Sequence, residues 1–237
     1  DEIEYFLSLV KVIFPKVEAT RDQIVFKFSG VRPLTVSDAD NPAAVSRDHS
    51  IKHTPPGDGI NFPILSLVGG KWTSFRYFSE ETAIETMGML SLDHNVSTEN
   101  LAIGGGKKYP QTNEDRRNLI EEIASTGDLD SARAAQLFER YGTRALEYAE
   151  QLKGETMLEH LPLFSREEIA YLAEREKVVR LADFFLRRSL VAKLNQANEA
   201  AIRETADIIA PVAGWKDINS EIDSTLALFR TKHGMRI

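Results

Sequence analysis

The carboxy-terminal half of the chain limits the fold more than any other feature. From residue 113 onward apolar residues recur at helical spacing, interrupted by Gly142, Pro162, Pro211 and Gly214. The spacing predicts helices over 113–125, 130–140, 142–150, 165–173, 174–195, 197–209 and 217–232. Gly142 separates two of them. Ser165 followed by Glu168 has capping-box spacing and marks a helix start. Val178, Leu181, Ala182, Phe185, Leu186 and Leu190 form a core-packing stripe. The acidic pairs Glu121–Glu122 and Glu167–Glu168 sit on helix faces with no partner that suggests acid–base work. Arg187–Arg188 and Lys107–Lys108 read as solvated, or as docking points for a further domain or anionic lipid. Trp215 and the last helix close this part.

The preceding residues differ in character. Ile3, Phe6, Leu7, Val10 and Ile13 predict an amphipathic helix that Phe14–Pro15 ends. Ile24, Phe26 and Phe28 alternate with Val25 and Lys27 as in a strand. Five prolines from Pro33 to Pro63 then punctuate short strands and loops. Pro63–Val68 reads as a buried strand, Gly69–Gly70 as a turn, and the stretch from Lys71 to Leu90 as a helix. Residues 91–112 are polar and glycine-rich, the composition of a linker. The fold class that follows is α+β: a small strand-rich segment with a strand–glycine–glycine–helix unit, then an all-helical domain.

Composition removes several classes of function. Lys plus Arg is 29 against 36 Asp plus Glu, a formal charge of −7, with net −3 over residues 1–90 and −4 over 91–237. Neither part has the cation surplus of a sequence-independent nucleic-acid binder. Cysteine is absent, which excludes disulfides, thiolate zinc sites and cysteine nucleophiles, and the five histidines are scattered. Apolar runs such as Ile64–Val68 are far below a membrane span, and the first residues lack a signal-peptide pattern. The expectation is a cytoplasmic protein without a metal site.

Three short segments hold candidate chemistry. At Gly69-Gly70-Lys71-Trp72-Thr73 a helix start presents backbone N–H groups and partial positive charge, which suits an anion or a polarised carbonyl. Glycine lets a ligand approach the backbone, Lys71 adds a charge and Thr73 a hydroxyl. The segment is not a P-loop, because Leu65 stands where that motif needs glycine and Trp72 follows the lysine. A plain tight turn fits the same residues. Arg32, in Ser29-Gly-Val-Arg-Pro-Leu34, is held on a rigid turn and suits carboxylate or phosphate; it also fits a structural ion pair. Arg47, in Ser46-Arg-Asp-His49, fits an anion contact or a pair with Asp48. Together Arg32, Arg47 and Lys71 are consistent with one anion pocket.

These segments, in this order, resemble the FAD-dependent glycerol-3-phosphate dehydrogenases, most specifically through Gly69-Gly-Lys-Trp-Thr-Ser-Phe-Arg76. Ile103-Gly-Gly-Gly106 and Glu176-Lys-Val-Val-Arg-Leu-Ala-Asp-Phe-Phe-Leu-Arg-Arg-Ser189 resemble that family's carboxy-terminal helical domain. The family's G-x-G-x-x-G unit is missing: Phe62 follows Gly57-Asp58-Gly59 at the third position, and Tyr109 follows Gly104–Gly106. The resemblance therefore implies a carboxy-terminal part of such an enzyme. Residues 1–90 would close the FAD- and substrate-binding domain, 91–112 would be a linker and 113–237 the helical domain. It implies oxidation of sn-glycerol 3-phosphate to dihydroxyacetone phosphate by hydride transfer to FAD, with electrons passed to quinone, or to oxygen in the oxidase branch. Gly69, Gly70, Lys71, Trp72 and Thr73 would face the flavin. Arg32 would be the catalytic arginine beside substrate, Arg47 the phosphate contact, and Lys71 a contact to substrate or flavin. His49 and His53 receive no role. The resemblance admits a homodimer and peripheral attachment to the inner face of the cell membrane. A reading of a different class is a non-catalytic helical docking module. With the pyrophosphate-binding pattern missing, this chain alone is expected neither to bind FAD nor to turn over substrate.

Overall fold

A computed structural model of the chain describes residues 2–31, 48–69, 71–94 and 97–237. Arg32, Arg47 and Gly70 lie outside the described residues. The chain divides into two compact units, one of residues 1–28 with 104–237 and the other of residues 29–103.

The first unit is helical. α1 (Glu2–Ile13) stops at Phe14–Pro15 as its pattern predicts, and none of its residues is buried. Residues 24–31 form no strand. Their backbone pairs instead with the end of the last helix: Lys27 N–H donates to the His233 carbonyl at 3.0 Å, and Phe26 stacks on the His233 ring at 4.8 Å. The alternation of Ile24, Phe26 and Phe28 thus seats one aromatic on a helix rather than one face on a sheet.

The rest of this unit follows the predicted helices closely. They are α3 (Asn113–Gly127), α4 (Ser131–Tyr141), α5 (Ala145–Gln151), α6 (Arg166–Arg175), α7 (Leu181–Asp183), α8 (Glu199–Ala213) and α9 (Ile218–His233), numbered after α2 (Phe75–Met89) of the other unit. Five of these starts are capped by side chains. Thr112, Asp130, Ser165, Asn198 and Asp217 each accept a backbone N–H in the first turn. Ile123, Leu137, Phe138, Tyr148, Ile169, Phe184, Ile202 and Phe229 lie in one core. α8 runs to Ala213 with Pro211 inside it; so close to the end, proline removes a single helix bond.

The predicted helix over 174–195 is not continuous. Lys177 takes a left-handed conformation, φ 55°, and the Asp183 carboxylate accepts the N–H groups of Val179 at 3.1 Å and Arg180 at 2.9 Å. A new start at α7 follows, then a π-helical turn over Phe184–Arg188. The wider turn leaves the adjacent Phe184 and Phe185 both fully buried, whereas Leu190, expected in the same stripe, is 59% exposed.

The second unit is an antiparallel pair, β1 (Ser50–Thr54) with β2 (Ile64–Val68), and α2. β2 falls where the apolar run predicts a strand but is not buried: Leu67 is 50% exposed. Among the described residues it pairs with one strand only. Phe78 on α2 is the one buried residue among those described in this unit.

Candidate functional site

The turn after β2 is built for close approach. Gly69 has φ 72°, a left-handed conformation that favours glycine. Lys71 is extended, Trp72–Ser74 make a single 3₁₀ turn, and α2 starts at Phe75. Ser74 returns both its N–H and its hydroxyl to the Lys71 carbonyl, each at 3.1 Å. Neither start carries a side-chain cap or an acidic residue in its first turn. The partial positive end of this helix is therefore met by no carboxylate of its own first turn, and Trp72, 91% exposed, stands beside it.

Strand register brings one end of β1 to this turn. Ser50 pairs with Val68, so the end of β1 nearest Arg47 in sequence lies beside the end of β2 that leads into Gly69. His49 packs there on α2, its ring stacked on Phe78 at 4.3 Å and its Nε2 3.1 Å from the Glu81 carboxylate. His53 approaches Glu85, one helical turn further along α2, at 2.8 Å. Both histidines thus fasten the strand to the helix.

Arg76, quoted above only as part of a motif, holds a third segment. Its Nη1 donates to the Thr98 carbonyl at 2.7 Å, and Glu80, one turn later, accepts the Thr98 N–H at 2.9 Å as well as its hydroxyl. Hydrogen bonds from the Thr98 hydroxyl and N–H and from Ser97 hold the Glu80 carboxyl below its ordinary range. The i, i+4 spacing of Arg76 and Glu80 was the available signal; their grip on a backbone eighteen or more residues away was not readable from it.

Of the predicted site residues, Gly69, Lys71, Trp72 and Thr73 come together in one turn. The helical unit holds a second polar centre that sequence reasoning missed. Glu168, read above as half of an acidic pair on a helix face, is fully buried. It accepts from Arg133 Nη2 at 2.7 Å, Arg140 Nη1 at 2.8 Å and the Tyr141 hydroxyl at 2.5 Å. Arg133 also forks onto Glu155 at 2.8 and 2.9 Å. Only the Ser165 half of the capping box forms, because the Glu168 carboxylate is engaged in the core. Among the described residues no cluster of ligating side chains could hold a metal ion, and no helix is long and apolar enough to cross a membrane.

The family model for the C-terminal domain of alpha-glycerophosphate oxidase matches residues 96–220, more than half of the chain. The chain belongs to that family. Relatives extend the likeness toward the amino terminus. The glycerol-3-phosphate dehydrogenase of Synechocystis sp. is 27% identical over 91% of this chain and 39% of its own length. That of Pseudomonas aeruginosa is 31% identical over 80% of this chain and 36% of its own length. The mitochondrial glycerol-3-phosphate dehydrogenase of Rattus norvegicus is 25% identical over 93% of this chain and 30% of its own length. The chain therefore spans between 30% and 39% of the length of these relatives. The resemblance stated from the motifs is borne out at the level of the family, as is the α+β class.

Proposed function

We propose that this chain is the carboxy-terminal portion of a flavin-dependent glycerol-3-phosphate dehydrogenase. The observation that carries the reading is the turn at Gly69–Ser74. It is an uncapped, acid-free helix start with a left-handed glycine before it and exposed Lys71 and Thr73 on it, in a chain whose relatives are named for this activity. That donor set fits the pyrimidine edge of a flavin. FAD, when bound, would supply the acceptor for the C2 hydride of sn-glycerol 3-phosphate, with the C2 hydroxyl proton released to solvent and dihydroxyacetone phosphate as product. Gly69, Gly70, Lys71, Trp72 and Thr73 hold that edge, and their N–H groups with the Lys71 charge stabilise the negative charge reduction places there. Arg32 orients the substrate at the reacting carbon, and Arg47 binds its phosphate as a fork.

Quinone is the proposed electron acceptor. The name of the matching family, an oxidase, favours oxygen as the second reading. The remaining proposals are a division into residues 1–90, a linker 91–112 and a helical domain 113–237, a homodimer, and a cytoplasmic enzyme peripheral to the inner membrane face.

The experiment joins this chain to an FAD-binding amino-terminal part and assays glycerol 3-phosphate oxidation with quinone and with oxygen. A flavin spectrum and turnover are expected. Arg32→Ala should lower kcat/KM by about 3 kcal/mol of transition-state stabilisation, the scale of unpairing a buried charge. A joined protein that folds but holds no flavin, or an Arg32→Ala variant of undiminished kcat/KM, would defeat the reading.

A further inference from the structure

A cavity of about 290 Å³ opens on the helical unit, walled by Arg140, Arg144, Tyr148, Glu176, Arg187 and Arg188 among others. Four guanidinium groups face one carboxylate in that wall. Each guanidinium is held by a partner, which for Arg144 is the wall's own Glu176. Arg140 bonds Glu168 at 2.8 Å and lies 3.8 Å over the Phe164 ring, and Arg144 reaches Glu176 at 3.1 Å. Arg187 pairs with Asp183 through Nη1, and Arg188 Nε donates to the Glu176 carbonyl at 2.7 Å. All these bonds use Nε or Nη1. Among the described residues none of the four Nη2 groups is engaged, so each arginine keeps two N–H donors for a ligand.

A second observation points to the same wall. Tyr148 is fully buried, and its hydroxyl has no hydrogen-bond partner. A sealed donor without an acceptor is costly and calls for one nearby. Its ring is held by stacking on Tyr141 at 3.8 Å and by the edge of Tyr171.

We propose that this cleft binds the dianionic phosphate of a small phosphorylated metabolite. Preorganised guanidinium forks match phosphate oxygens in geometry as well as charge. The volume exceeds that of a bare ion and lies just below the usual range of ligand cavities, about 300–1,000 Å³, a size that suits a small ester. No residue of the flavin-facing turn takes part, so this site stands or falls separately from that reading.

The test is titration calorimetry of the 237-residue chain with inorganic phosphate and with glycerol 3-phosphate. Saturable binding of one equivalent of each, with the ester at least as tight, is expected. Arg144→Gln and Arg187→Gln should each weaken it on the order of tenfold, the contribution of one charge-assisted fork. Arg203→Gln, on the outer face of α8, should leave it unchanged. Should Arg144→Gln fail to fold by circular dichroism, the more exposed Arg187→Gln carries the comparison alone. The proposal is overturned by the absence of saturable binding in the millimolar range. It is equally overturned by affinity that survives Arg187→Gln, or by a cleft that takes phosphate and excludes the ester.

Discussion

Glu168 organises the helical unit from a single position. Three donors from α4 converge on it; two of them are guanidinium groups, of which that of Arg133 is removed from water. Removing the carboxylate leaves Arg133, itself 6% exposed, with a buried charge that Glu155 alone must balance. Glu168→Ala should therefore destabilise this unit by about 3–5 kcal/mol in urea unfolding, and Glu168→Gln by less. A change under about 1 kcal/mol in both variants would mean that water replaces the lost partner. The pH dependence follows from the same groups. Burial pushes the Glu155 carboxyl up, but hydrogen bonds from Arg133 and Ser165 and the Arg133 charge outweigh it and hold the group low. A depressed carboxyl contributes fully above its unfolded value, about 4.3, and the contribution is lost as pH falls through the folded value. Tyr141 goes the other way. Burial, then the Glu168 charge, raise it far above a free phenol, and burial with the Glu176 charge raises Tyr148. Their contribution is full below about pH 10 and is lost as pH rises through the folded values. Absorbance at phenolate wavelengths should show two of the six tyrosines refusing to ionise until the chain unfolds; six phenolates in a folded chain would contradict this. At this scale the sequence disclosed the Ser165–Glu168 spacing and not its outcome, because a cap is local while the competing Arg133 lies 35 residues away.

At the scale of elements, most boundaries were legible, since caps and breakers act on neighbouring residues. Thr112, Asp130, Asn198 and Asp217 start helices, and Gly142, φ 59°, parts α4 from α5. Among the failures, the break at Lys177–Arg180 is local, set by the Asp183 carboxylate three and four residues further on. Two others share one cause: the exposure of β2 and the missing strand at 24–28 depend on what lies across from the segment. The glycine-rich stretch at 104–106 is the sharpest case. Composition suggests a linker, yet Gly104–Gly106 forms a 3₁₀ turn seated on the α4–α5 junction, where the Thr143 hydroxyl meets the Gly105 carbonyl at 3.0 Å and that of Lys107 at 2.8 Å. A Cβ on Gly105 would overlap the Tyr141 carbonyl, and one on Gly142 would overlap the Gly105 carbonyl. Gly105→Ala should cost about 1–3 kcal/mol, the scale of overpacking, and should free the amides of residues 105–109 to exchange. Gly106→Ala, which meets nothing within 4 Å, is the control. Equal stability of the two variants would show that the seat is loose.

Across the whole chain the two units differ in what holds them. Residues 104–237 with 1–28 share one extended core, whereas the described part of 29–103 has a two-stranded pair, one helix and a single buried side chain. Two strands and a helix with so little buried surface are marginal by themselves. The candidate flavin-facing turn sits in this weaker unit, so its order should depend on what covers it. The chain's two tryptophans separate the units: Trp72 lies in one, and Trp215, whose Nε1–H donates to the Val179 carbonyl at 2.8 Å, lies in the other. In Trp72→Phe the remaining Trp215 emission should follow a cooperative urea transition together with far-ultraviolet ellipticity. In Trp215→Phe the remaining Trp72, 91% exposed, should emit as a solvated indole without denaturant and shift little on unfolding. Joined to a flavin-binding part, that same indole should become quenched and lose exposure, because the turn then has its partner. A blue Trp72 emission in the isolated chain, melting with the helices, would show the turn already covered by this chain's own residues and would remove the surface the proposed cofactor contact requires.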